Sequence, residues 1–154
     1  MMDMIAEEAE PLKKSKTTGE LVRELSSVSN IREYFDRNGE ELAHDKLSQR
    51  LKELADQAGI NRSEVAQRAQ LDRFYVYDIF SGRKLPSANK MVCLILGLGA
   101  DLDTAQELLR LAGRSELYAR YPRDSILIYA IQHHLTVDQT NDLLYEDNQP
   151  LLIG

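Results

Sequence analysis

The chain has 154 residues, 43% of them apolar and 29% charged, with a formal net charge of −6: enough for one core, or one core and an appendage. No apolar run approaches the roughly 20 residues of a membrane span, and residues 1–10 are acidic where a secretory signal is basic, so a soluble, cytoplasmic protein without membrane association is expected. The single cysteine, Cys93, excludes an internal disulfide and sits among Met91, Val92, Leu94, Ile95 and Leu96, which marks it as a small core hydrophobe.

Aromatics are few and the alternation of β-branched residues that marks strands is absent, so the expected class is all-α. Residues 1–16 carry acidic residues, a proline and a lysine cluster without apolar periodicity, and read as a mobile tail. Residues 17–45 read as a helical extension: Thr17 with Glu20 and Asn30 with Glu33 have capping-box spacing, opening short helices that end near Ser26 and Asn38, with Gly39 as the second stop. A longer helix is expected from about Lys46 to Ala58, with Leu47, Leu51, Leu54, Ala55 and Ala58 on one face and Gly59 ending it.

Between residues 61 and 87 the punctuation tightens. Asn61 with Glu64 opens one short helix, Asp72 caps a second over about residues 73–80, and glycine and proline close the segment at Gly82 and Pro86. Val65, Ala66, Ala69, Leu71, Val76 and Ile79 are spaced to pack the two helices against each other, with small Ala66 permitting close approach. Ser87 then caps a fourth helix ending near residues 97–99, and a fifth spans about residues 102–112. Over roughly residues 47–108 this resembles the phage-repressor-type (lambda-repressor-like, XRE-type) helix-turn-helix family. The resemblance is carried by Gly59-Ile60-Asn61-Arg62, Val65-Ala66, Leu71-Asp72-Arg73, Val76, Ile79, Ser81-Gly82-Arg83-Lys84, Pro86-Ser87 and the apolar residues 91–98. It implies a five-helix DNA-binding domain over residues 46–112, with the second short helix in the major groove of double-stranded DNA. Family members often pair an arginine with a glutamate where this chain has Ala55 and Phe80, so an apolar contact is expected in place of the ion pair.

Residues 113–154 read as an extra helical pair, about 122–133 and 136–145, opened by Pro122 with Asp124 and by Thr136 with Gln139. Shifting the chain by 35 residues lays residues 91–117 onto residues 126–152, placing Asp103 on Asp138, Leu108 on Leu143, Leu109 on Leu144 and Leu117 on Leu152. Ile126, Leu127, Tyr129, Ala130, Ile131, Leu143 and Leu144 are expected to be buried, either against the fourth and fifth helices of the same chain or in the seam of a homodimer. The sequence leaves both arrangements open.

Charge is distributed unevenly. Residues 46–87 hold eight basic and five acidic side chains (+3), while residues 1–45 sum to −5 and residues 88–154 to −4. A local excess of that size predicts weak, strongly salt-dependent affinity for phosphate backbones. The resemblance implies Arg73, Phe74, Tyr77 and Asp78 as base contacts, with Arg73 suited to guanine, Phe74 to a thymine methyl and Asp78 to cytosine. It implies Arg62, Tyr75, Arg83, Lys84, Asn89 and Lys90 as phosphate contacts. A transcriptional regulator, repressor-like by family analogy, is the resulting expectation. The alternative is an interaction module that keeps the fold and binds a protein through its aromatic helix or its C-terminal helices. No phosphate loop, paired metal-ligand spacing or nucleophile–base combination points to an enzyme, a cofactor or a metal. His133 and His134 are adjacent, face different sides of a helix, and suit its C-terminus.

Overall fold

In the computed structural model, residues 16–39 and 42–153 are described, and the secondary structure among them is entirely helical. They fall into two units, Met1–Leu42 and Ala43–Gly154. The N-terminal tail lies outside the described residues except for Lys16. That lysine donates from Nζ to Glu24 (2.5 Å) and to Asn38 (2.6 Å), so it belongs to the first unit's structure and not to a tail.

The first unit holds α1, Thr18–Ser27, and α2, Ile31–Asn38. Thr17 forms the reciprocal capping box with Glu20. Asn30 caps α2 through the Glu33 amide, but the box is not closed: the Glu33 carboxylate instead accepts from the amide and hydroxyl of Ser29 and from Arg37, one turn on. Gly39 ends α2 with a right-handed backbone (φ −50°), so its freedom to adopt a left-handed turn is unused. Glu24 gathers Lys16, Asn38 and Arg37, and the Lys16 hydrogen bond in particular holds its carboxyl below the ordinary value.

The second unit runs α3 Ala43–Ala58, α4 Arg62–Ala69, α5 Arg73–Phe80, α6 Ala88–Leu98, α7 Leu102–Leu111, α8 Pro122–Gln132 and α9 Val137–Glu146. Leu47, Leu51 and Ala55 turn α3 inward, but Ala58 is exposed because the helix overruns its packed stripe by one turn. Asn61 accepts from the Glu64 amide as predicted, while the Glu64 carboxylate pairs with Arg68 one turn on (2.8 Å) instead of reaching back. Val65, Ala66 and Ala69 of α4 meet Val76, Ile79 and Phe80 of α5 in one core. Ala55 and Phe80 both lie in it, and Ser48 donates to the Phe80 carbonyl, so the end of α5 is tied to α3 without an ion pair. Cys93 is buried there, and burial pushes its thiol up to about 11, leaving it protonated at neutral pH.

Helix α6 is the hub, touching α3, α4, α7, α8 and α9. Its approach to α4 depends on Gly97, where a Cβ would meet the Ala69 backbone nitrogen at 3.0 Å and its Cβ at 3.2 Å. The C-terminal pair adds Leu127, Ile131, Val137, Leu144 and Leu152 to the same core. The expected burial fails at three positions on one side of that pair: Tyr129 is 50% exposed, and Ile126 and Leu143 are only half-buried, because nothing among the described residues of this unit covers that side.

The 35-residue shift seen in the sequence is a structural repeat. Helices α7 and α9 are offset by 35 residues, with Asp101 and Thr136 as their caps. The left-handed residues Gly99 and Gly113 recur as His134 and Asn148 at the same offset. Gln106 brackets the following segment by accepting from the Leu117 amide and donating to its carbonyl. Asn141 does the same with the Leu152 amide and the Ile153 carbonyl. Two α-hairpins, α6–α7 and α8–α9, are thus built to one plan. No helix among the described residues is long and apolar enough to cross a membrane.

Candidate nucleic-acid interface

Helix α5 buries Val76, Ile79 and Phe80, which at 100° per residue leaves Tyr77, Phe74, Asp78 and Tyr75 in that order across its outward face. The Asp72 carboxylate accepts from the Tyr75 amide at 3.0 Å, so the N-terminus is capped with Arg73 in the first turn.

Each outward aromatic is overlaid by a cation. The Arg62 guanidinium, at the start of α4, lies 4.6 Å from the Tyr77 ring centroid; Tyr77 meets Phe74 edge-on at 6.1 Å; and Arg73 lies 5.2 Å from the Phe74 centroid. On the opposite flank Lys90 and Lys84 lie 4.4 and 5.6 Å from the Tyr75 centroid. Cation–π contact of this kind fixes the long side chains while leaving their charge toward solvent. Arg62, Arg73 and Lys90 have no carboxylate within ion-pair distance among the described residues. Phe74 at the centre is 64% exposed.

Asp78 is the exception in this cationic setting. Its carboxylate is 3.4 Å from Arg83 Nη1 and 3.7 Å from Lys84 Nζ, and its main-chain carbonyl accepts from the Arg83 amide at 2.9 Å. The turn after α5 therefore folds two cations back over the one acidic group on the face, while Arg83 stays 76% exposed at its side chain. Asn89 is engaged from the far side, accepting from Arg123 Nη2 at 3.0 Å.

The structure thus gathers Arg62, Arg73, Phe74 and Tyr77 into one continuous cluster and Tyr75, Asp78, Arg83, Lys84 and Lys90 into an adjoining one. Asn89 is turned toward the C-terminal hairpin. Burial raises the Tyr75 hydroxyl above the ordinary tyrosine value, opposed by a backbone hydrogen bond from Ser87 and by the charge of Arg114. That arginine is held at the segment leading into α6, where its Nε donates to the Pro86 carbonyl at 3.1 Å. Nothing in the sequence signals this, since Arg114 lies beyond α7 and reaches that segment only through tertiary packing.

Residues 46–108, which span most of α3 through α7 up to Leu108, match a family described as a helix-turn-helix domain. No curated protein and no solved structure matches the chain. The matched segment holds both helices of the turn and the cations of the face; Arg114 lies just outside it.

Proposed function

We propose that the chain is a sequence-specific double-stranded DNA-binding regulator, repressor-like in type, that lays α5 in the major groove. The observation carrying this reading is the outward face of α5, whose aromatics hold Arg62, Arg73, Lys84 and Lys90 on both flanks in an otherwise acidic protein. A capped helix start with positive flanks fits a groove walled by two phosphate backbones. In this reading Arg73 and Phe74 read base edges, Arg62 and Tyr77 line one wall, and Tyr75, Arg83, Lys84 and Lys90 line the other. Asp78 balances Arg83 and Lys84 in the free protein, and it accepts from a cytosine amine once those cations turn to phosphate.

Selection of the purified protein against a random duplex pool at low and near-physiological salt tests the reading. The expected result is an enriched motif whose binding weakens steeply with salt and is abolished by Arg73→Glu, with thermal stability unchanged to within about 0.5 kcal/mol because the side chain is exposed. A two-fold symmetric motif would identify a dimeric binder. Absence of enrichment from folded protein, or enrichment retained by Arg73→Glu, overturns the docking.

A further inference from the structure

The repeat makes one bare surface interpretable. In the first hairpin, α6 is covered by α3 and α4 and α7 by α3, and the rim of that contact is an ion pair: Arg50 of α3 donates from Nε to both Glu107 oxygens on α7, at 3.0 and 3.1 Å. Arg50 is flanked on α3 by buried Leu47 and Leu51, so the covering helix presents an apolar stripe with an arginine at its edge.

Thirty-five residues on, the same side of the second hairpin forms an open groove of about 690 Å³ lined by Pro122, Ser125, Ile126, Tyr129, Leu143 and Glu146. Its apolar members correspond to fully buried residues of the first hairpin: Ile126 to Met91, Tyr129 to Leu94, and Leu143 to Leu108. Asp142 corresponds to Glu107. It is exposed and makes no hydrogen bond or ion pair among the described residues. Glu146, one turn further on, and Asp147 extend the acidic rim. The hairpin's one arginine, Arg123, is turned away to Asn89 and to the Pro150 and Leu151 carbonyls.

We infer that this groove is a docking site for an amphipathic helix of a partner protein, one that seats an apolar stripe on Ile126, Tyr129 and Leu143 and sets an arginine on Asp142, as α3 does on the first hairpin. The charges favour a basic partner over a second copy, because pairing this face with itself would set Asp142, Glu146 and Asp147 near their own counterparts. The inference is independent of what α5 binds.

The test uses the full chain with isotope-labelled methyl groups and a synthetic helix of about 16 residues that copies the α3 pattern, with leucines four apart and arginine on the third residue after the first leucine. The expected result is saturable shifts of the Ile126 and Leu143 methyls, absent when glutamate replaces that arginine. Tyr129→Ala, at a half-exposed position that leaves the fold intact, weakens binding roughly tenfold, and Asp142→Asn removes the preference for arginine over glutamate. Shifts spread over the acidic surface without these methyls overturn the proposal. So does sedimentation showing a dimer whose dissociation frees the same methyls, which would assign the groove to a second copy.

Discussion

Met91, Leu94 and Leu108 of the α6–α7 hairpin are fully buried, while their counterparts Ile126, Tyr129 and Leu143 of the α8–α9 hairpin remain partly open to solvent. The caps, left-handed turns and side-chain brackets of the two hairpins nevertheless agree. Local instructions therefore specify a hairpin whether or not one of its faces is covered. What differs is the neighbour: α3 and α4 lie against the first hairpin, and the second turns its equivalent side outward with an acidic rim. The first hairpin is a structural platform for α3 and α4, on which α5 in turn packs, and the second extends that platform with its equivalent face uncovered among the described residues of this unit.

Truncation at paired positions probes this contrast most strongly. Leu108→Ala leaves a cavity in a closed core and should cost about 2–5 kcal/mol, whereas Leu143→Ala, at a half-solvated site, should cost about 1 kcal/mol or less. Urea unfolding of the two variants measures the difference. Equal losses would mean that the second face is covered in solution.

Close approach gives the next largest effect. A side chain at Gly97 collides with the Ala69 backbone, so Gly97→Val should destabilise by about 1–3 kcal/mol, while Gln132→Val, 35 residues on and exposed, should change stability by no more than about 0.5 kcal/mol. Melting curves that show the two substitutions to be equivalent would remove the tight α4–α6 contact as the feature that sets the hairpins apart.

How much of this was legible in the sequence follows the same division. Asp72, Ser87 and Thr136 announce their helices because a cap is chemistry between residues three apart. Glu33 and Glu64 met the capping-box spacing yet turned to Arg37 and Arg68, since a carboxylate one turn before an arginine has a competing partner that the spacing rule ignores. Apolar periodicity places Tyr129 on an inward face, yet it is half exposed, because periodicity marks a face without saying what lies on it. At the candidate site the cation–π pairs join residues that the sequence marks, whereas the hydrogen bond of Arg114 to the Pro86 carbonyl depends on how the chain returns after α7.

The smallest expected effect separates the hairpins by chemistry where their geometry agrees. Helix α7 is capped by a carboxylate and α9 by a hydroxyl, each accepting from the amide of the third residue on, Thr104 at 2.8 Å and Gln139 at 3.1 Å. The backbone hydrogen bond from Thr104 holds Asp101 below the ordinary aspartate value, with Arg50 and His134 adding weaker attraction. A carboxyl whose pKa is lower folded than unfolded stabilises the native state above its unfolded value and loses that contribution as pH falls through the folded value. Acidification from about pH 5 to about pH 2 should therefore shift the Thr104 amide resonance, with a midpoint below that of an unperturbed aspartate, and lower its protection against exchange relative to the intrinsic rate at each pH. The Gln139 amide should keep its protection, because Thr136 has no proton to gain in that range and its hydrogen bond survives. Asp101→Thr should abolish the Thr104 titration while keeping α7 capped, making the two hairpins chemically as well as geometrically alike. If Gln139 instead lost protection together with Thr104, the acid response would belong to the shared core and not to the cap, and the two hairpins would open as one unit.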